Sequence, residues 1–210
     1  MNWEEIKVYL PKFLSAESEK ELFEGIKEFP INYITRFYCK SALFNNILLQ
    51  GDGIRDLPVI NFPDTKLENA RCLILSNTCD IDPENKRFFP SQIVYAPIFD
   101  FTKYCLMLKN EGSRTEQQIE SHIESIKDQK ITQILYLPEI HGILNESIVF
   151  FDRVQNISVH AIHSETVEKR KLFSLSDMGF YLFILKLSIH FTRIRDNVDR
   201  GSGHQNLHPF

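Results

Sequence analysis

Residues 70–99 read ARCLILSNTCDIDPENKRFFPSQIVYAPIF, and this segment constrains the fold more than any other. The apolar runs LILS and IVYAPI are rich in branched side chains and too short for helices, so each predicts a β-strand. Between them lie Asn77-Thr78-Cys79-Asp80-Ile81-Asp82, a charged turn, and Ser91-Gln92. These are turn formers with no core to serve. The segment is therefore expected to be a hairpin with a polar loop at the end of its first strand.

The order of these pieces resembles the central hairpin of the MazF/PemK toxin family. There an apolar strand ends in Asn, a polar loop and a Ser-Pro-like turn follow, and the second strand has an IVAPI-type sequence. Further on, LNESIVFFDRVQNIS and LFSLSDMGFYLFILKL are similar to the family's Arg-bearing strand and closing helix. The likeness covers about residues 47–100 and 133–191. It implies an α+β fold, a small, strongly bent antiparallel β-barrel of SH3-like type. The implied organisation is an N-terminal helical extension (1–46), the barrel (47–196) with an inserted helix at about 113–129, and a disordered tail (197–210).

Local patterns fill in the rest. Ser15 caps an expected helix through EKELFEGIKEF, closed by Pro30. The segment YITRFYCKSALFNNILL reads as helix entering a strand, and Gln50-Gly51-Asp52 as a turn, so the barrel is expected to begin near Ile47. GIRDLPVINFPDTKLEN, with two prolines, reads as a long loop. In SRTEQQIESHIESIKDQ the spacing of Ile119, Ile123 and Ile126 predicts an exposed amphipathic helix. Strands are expected in TQILYLP, SIVFFDRV and SVHAI, and Ser176-Asp177 opens the terminal helix.

The chain's 210 residues, 43% hydrophobic and with 17 Phe, are enough for a substantial core. A net charge of −4 gives no global attraction to nucleic acid. No run approaches the ~18 apolar residues of a membrane span, and MNWEEIKVYL has no signal-peptide pattern. A cytoplasmic protein without membrane contact is expected. Cys39, Cys72, Cys79 and Cys105 include no CxxC pair, so neither a zinc ribbon nor a disulfide framework is expected. Cys39, Cys72 and Cys105 read as buried reduced thiols. Cys79, in the polar loop, does not.

The resemblance implies RNA cleavage without a metal or other cofactor, by a base or acid at the ribose and a cation over the scissile phosphate. An Arg before the first hairpin strand and a hydroxyl closing the second supply much of this in the family. Here Ala70 falls at the Arg position, with Arg71 one residue late, and Phe99 falls at the hydroxyl position. A slip of one residue turns a strand side chain to the opposite face. Arg71 therefore rescues the site only if a bulge precedes it.

What remains is the loop. As a catalytic set it would use Asp80 as base, Cys79 as nucleophile and Arg71 as cation. Asn77, Thr78, Asp82 and Arg153, the last expected on a strand facing a groove, would bind. As a structural set, Asn77 and Asp80 would bond local amides in an Asx-type turn. Cys79 needs a His to lower its pKa, and His141, His160 and His163 could approach it only through folding. Asp80 and Asp82 alone are weak support for a cation. Arg36, Lys40, Lys86, Arg87, Arg193 and Arg195 are further basic candidates; the last two suit a helix C-terminus. Phe180, Tyr181, Phe183, Ile184, Leu187 and Phe191 form a stripe suited to core or dimer interface. Two functions are compatible with these residues. One is a catalytically degenerate binding or regulatory module for a protein such as an antitoxin, or for nucleic acid. The other is a toxin-like endoribonuclease acting on single-stranded RNA. A homodimer is expected in either case.

Overall fold

The computed structural model describes residues 29, 33–40, 46–82, 84–85, 87–162 and 164–192. The expected helix after Ser15, most of the 1–46 extension, the 197–210 tail and the side chains of Lys86, His163, Arg193 and Arg195 lie outside them.

The fold is α+β. Its strands are β1 Gly53–Ile60, β2 Leu67–Ile74, β3 Gln92–Asp100, β4 Ile134–Leu137, β5 Ser147–Phe150, β6 Gln155–Ser158 and β7 Lys171–Phe173. The helices among the described residues are α1 Thr78–Ile81, α2 Phe101–Glu111, α3 Glu116–Lys127, α4 Ser164–Arg170 and α5 Asp177–Thr192. The strands form one antiparallel seven-stranded sheet in the order β4-β5-β3-β2-β1-β7, with β6 also pairing β3.

The backbone ladder does not close into a barrel. Across the gap between β1 and β6, however, the Gln155 carboxamide donates to the Ile60 carbonyl (3.2 Å) and accepts from its N–H (3.4 Å). A side chain thus stands where a ladder pair would. Tyr95 adds a second tie, its hydroxyl donating to the Pro58 carbonyl.

Strand alternation sorts the apolar residues into two cores. Cys72 and Ile74 of β2, with Ile93 and Tyr95 of β3, meet Ile54, Leu57, Val59 and Ile81 on one face. Leu73, Leu75 and Ala96 point the other way, into a larger core with Phe101, Tyr136, Val149 and Phe183. Helix α5 covers this second face through Met178, Leu182 and Phe183. The Ser176 hydroxyl caps α5 by accepting from the Gly179 N–H (3.1 Å). Gly179 itself is required by a close approach, because a Cβ there would lie 2.1 Å from the Phe37 carbonyl oxygen.

Two charged side chains are buried at β7 and β1. Lys171 pairs with Asp52 at 2.8 Å, their side chains 5% and 1% exposed. Asp52 also accepts from the Leu49 N–H and the Ser174 hydroxyl (both 2.7 Å). Burial raises the Asp52 pKa despite these bonds.

The hairpin, the capped terminal helix and the inserted helix occur as expected, the last with a Thr115–Gln118 capping box. Its isoleucines are less exposed than expected: Ile119 and Ile126 are buried, and Ile126 with half-buried Ile123 joins the larger core. Several expectations are corrected. The segment GIRDLPVINFPDTKLEN is not a loop but most of the β1–β2 hairpin, and the first strand begins at Gly53 rather than near Ile47. Its prolines misled because β7 pairs only with Gly53 and Ile54. Beyond them β1 is a sheet edge, where proline is tolerated. Residues 34–36 form a single 3-10 turn, and 159–161 another rather than strand. Helices α2 and α4 and strand β7 were not expected. Cys72 is buried and Cys105 half-buried, but Cys39 is exposed; all four thiols are free.

Candidate functional site

The polar loop leaves β2 through Leu75 and Ser76, whose N–H groups both donate to the Val94 carbonyl (2.8 and 3.1 Å). The Ser76 hydroxyl accepts from the Val94 N–H (2.7 Å) and donates to the Gln92 carbonyl (3.3 Å). Asn77 then caps α1, its Oδ1 accepting from the Cys79 N–H at 2.9 Å. Thr78 accepts from the Gln50 N–H (3.0 Å), and Asp82 from the Glu84 N–H (2.9 Å). Asn77, Thr78 and Asp82 are therefore engaged in holding the loop's own backbone and its neighbour. Their pattern follows the physics of Asx turns and helix caps.

Asp80 differs. Its carboxylate pairs with the Arg87 guanidinium at 2.5 Å, both side chains about half exposed. The pair lines a cleft of about 330 Å³ together with Leu75, Ser76 and Val94. Ser91, Gln92 and Val154 line it as well, with Leu187 and Phe191 of α5. The Ser91 hydroxyl is buried there without a hydrogen-bond partner.

The other candidates lie elsewhere. Arg71 is exposed and does not line the cleft. The irregular register sits in β1, between Ile54 and Leu57, so no bulge in β2 turns Arg71 onto the face of Ala70. Arg153 is not on a strand but in the turn between β5 and β6. Its guanidinium stacks over Phe99 and Phe150, 5.6 and 5.7 Å from the ring centroids. The structure thus brings together two residues singled out from the sequence, Phe99 and Arg153, but as a cation on an aromatic pair. Cys79 is exposed, and neither His141 nor His160 lines the cleft beside it. Among the described residues no group of three or more His, Cys, Asp or Glu is placed to hold a metal ion.

Sequence reasoning passed over Ser91, Val154 and the pairing of Arg87 with Asp80. One signal was present. The Phe88-Phe89 doublet interrupts a charged turn, where apolar side chains have no local reason to be.

A nucleophile with an adjacent base is absent from this cleft among the described residues; its carboxylate is neutralised and most of its wall is apolar. Apolar walls with a few polar groups are the usual lining of ligand clefts, catalytic or not. No protein-family model matches the chain, and no curated protein is significantly similar to it. Among the described residues no helix is long and apolar enough to cross a membrane.

Proposed function

We propose that this protein is a divergent, catalytically degenerate relative of the MazF/PemK barrels, acting as a binding or regulatory module. Its cleft between β3 and α5 takes an apolar segment of a protein partner. The observation that carries this reading is the state of the loop: Asn77, Thr78 and Asp82 serve the backbone, and Arg87 neutralises Asp80. The side chains left to meet a ligand are Leu187, Phe191, Val154 and the Ser91 hydroxyl. The bent-barrel relationship is supported by the order of β1, β2 and β3 and by the Gln155 bridge to Ile60. Single-stranded RNA as a substrate has weaker support. Ala70 and Phe99 stand at the positions of the family's cation and hydroxyl, and losing one such contact costs about 10²–10³-fold in rate.

Two assays in parallel test the reading. Purified protein incubated with mixed single-stranded RNA is expected to cleave no faster than its Arg71→Ala and Asp80→Asn variants. A display library of short random peptides is expected to yield apolar sequences that bind wild type and are lost with Val154→Arg. Cleavage abolished by both substitutions would replace the binding reading with the endoribonuclease one.

A further inference from the structure

The apolar lining of the cleft is only partly covered. Phe191 is 63% and Val154 37% exposed. Phe88 and Phe89, 94% and 79% exposed, lie in the chain between Arg87 and Ser91, both of which line the cleft. Large apolar groups held this far into solvent mark interaction surfaces. Thr192, the last residue of α5, directly follows Phe191, so the chain passes on to residues 193–210 from a side chain that lines the cleft. From Asp199 to Asn206 these residues read DRGSGHQN, with no apolar side chain; apolar character returns in Leu207-His208-Pro209-Phe210. A polar spacer built on Gly-Ser-Gly, ahead of a short apolar group, is the pattern of a tethered anchor, since glycine and serine restrict backbone direction least.

We propose that the occupant is this chain's own segment Leu207–Phe210, held in the cleft by its tether, so that the chain competes with an outside partner for the site. This rests on the reading of the cleft as a protein-binding site and names its regulation. Length permits it. Leu207 follows Thr192 by fifteen positions; a coil of that length spans about 20 Å on average and about 50 Å at most, and it starts beside the cleft. Volume permits it as well. A cavity of ~150 Å³ holds a benzene ring, and the cleft measures about 330 Å³, room for the Phe210 ring and the Leu207 side chain together. Pro209 fixes its own φ and disfavours helical backbone at His208, so less order has to be imposed on binding. Backbone carbonyls of the entering segment supply an acceptor for the Ser91 hydroxyl, which is buried without a partner. The Asp80–Arg87 pair is complete within the fold and asks for no counter-charge, which suits a segment that is apolar apart from His208. Tethering makes so short a segment sufficient. A short linker gives an effective concentration of about 1 mM, so a segment with a Kd of about 100 µM fills the cleft by about ten to one.

The test is displacement in the full chain. Leu207→Ser/Phe210→Ser removes the anchor and keeps the tether, and circular dichroism checks that each variant folds. The probe is a fluorescein-labelled peptide of sequence HQNLHPF, its binding read by fluorescence anisotropy. It is expected to bind the double variant about tenfold more tightly than wild type, whose cleft is filled. Adding Val154→Arg to the double variant is expected to abolish that binding. Amide NMR spectra of wild type and the double variant are expected to differ at Ser76, Val94, Val154 and Phe191, by an amount independent of protein concentration. Equal probe affinity for the two proteins, or spectra that coincide at those residues, overturns the proposal. Differences that fade on dilution overturn it too, because they would put the segment in the cleft of a second copy. Library-selected apolar peptides that bind wild type and the double variant equally would overturn the self-filled cleft while sustaining the binding reading. If neither those peptides nor the probe binds either protein, both readings fall.

Discussion

At the scale of single residues, the polar side chains that attract attention in the sequence turn out to differ in what they hold. Asn77 and Asp80 are three positions apart, yet one caps a helical turn and the other pairs with Arg87 in the lining of a cleft. A buried ion pair lies elsewhere, at Asp52 and Lys171. Removing one partner of such a pair leaves the other in a low-dielectric site, at a cost of about 3–5 kcal/mol. Asp52→Ala is expected to lower stability by that order in urea unfolding. Adding Lys171→Met is expected to restore much of it. Arg71 provides the contrast: it is exposed, and Arg71→Ala is expected to change stability by less than about 0.5 kcal/mol in the same assay.

Among the elements, two contacts substitute for continuous secondary structure. Gln155 spans β1 and β6 with a carboxamide that meets both the N–H and the carbonyl of Ile60. Gln155→Leu leaves both without their partner, and a loss of about 1–3 kcal/mol is expected. Hydrogen exchange should quicken at the Ile60 amide before it does in β3. Helix α5 approaches Phe37 so closely that Gly179 has no room for a methyl group. Gly179→Ala is expected to destabilise by about 1–3 kcal/mol through overpacking, although alanine favours helix. A thermal shift upward would show that the helix can slide away from Phe37. The hairpin was legible from sequence through its two branched apolar runs, and α5 through its Ser176-Asp177 cap followed by a long, largely apolar run. Helix α2 was not, since its N-cap, Asp100, is also the last residue of β3 and no turn residue separates strand from helix.

For the whole molecule, buried titratable groups give stability a dependence on pH. Lys186 is 4% exposed and donates to the Gln129 carbonyl at 2.8 Å. Burial brings its pKa down to about 7, against about 10.4 in an unfolded chain. Between these values the unfolded state binds more protons, so stability rises with pH from about 7 upward. Cys72 works in the opposite sense: burial pushes it up to about 12. Above about 8.5 the unfolded chain releases a proton that the folded one keeps. Tyr95, also pushed up to about 12 by burial, adds to this above about 10. Stability is therefore expected to climb from pH 7 to about 9 and to fall beyond 10. Denaturant midpoints at fixed temperature measure it. Lys186→Met is expected to flatten the climb without altering the decline; an unchanged slope would mean that the amine stays charged in the folded state.

The sequence by itself determined what local rules govern: the β2–β3 hairpin, the Asx-type turn chemistry of Asn77, the helical spacing of the isoleucines in α3 and the cap that opens α5; Asp80, read with Asn77 as a turn former, instead pairs with Arg87. The sequence also singled out Phe99 and Arg153, whose partnership was not visible because the two are joined only by packing. Tertiary structure decided which residues form the cleft. Leu187 and Phe191 come from a helix about a hundred positions away from Leu75, and no periodicity encodes that meeting. It likewise decided that Pro58 sits in a strand, because only strand order makes β1 an edge there. Propensity and period act within a few residues of each other, whereas a site is assembled by burial, which joins whatever the fold leaves adjacent.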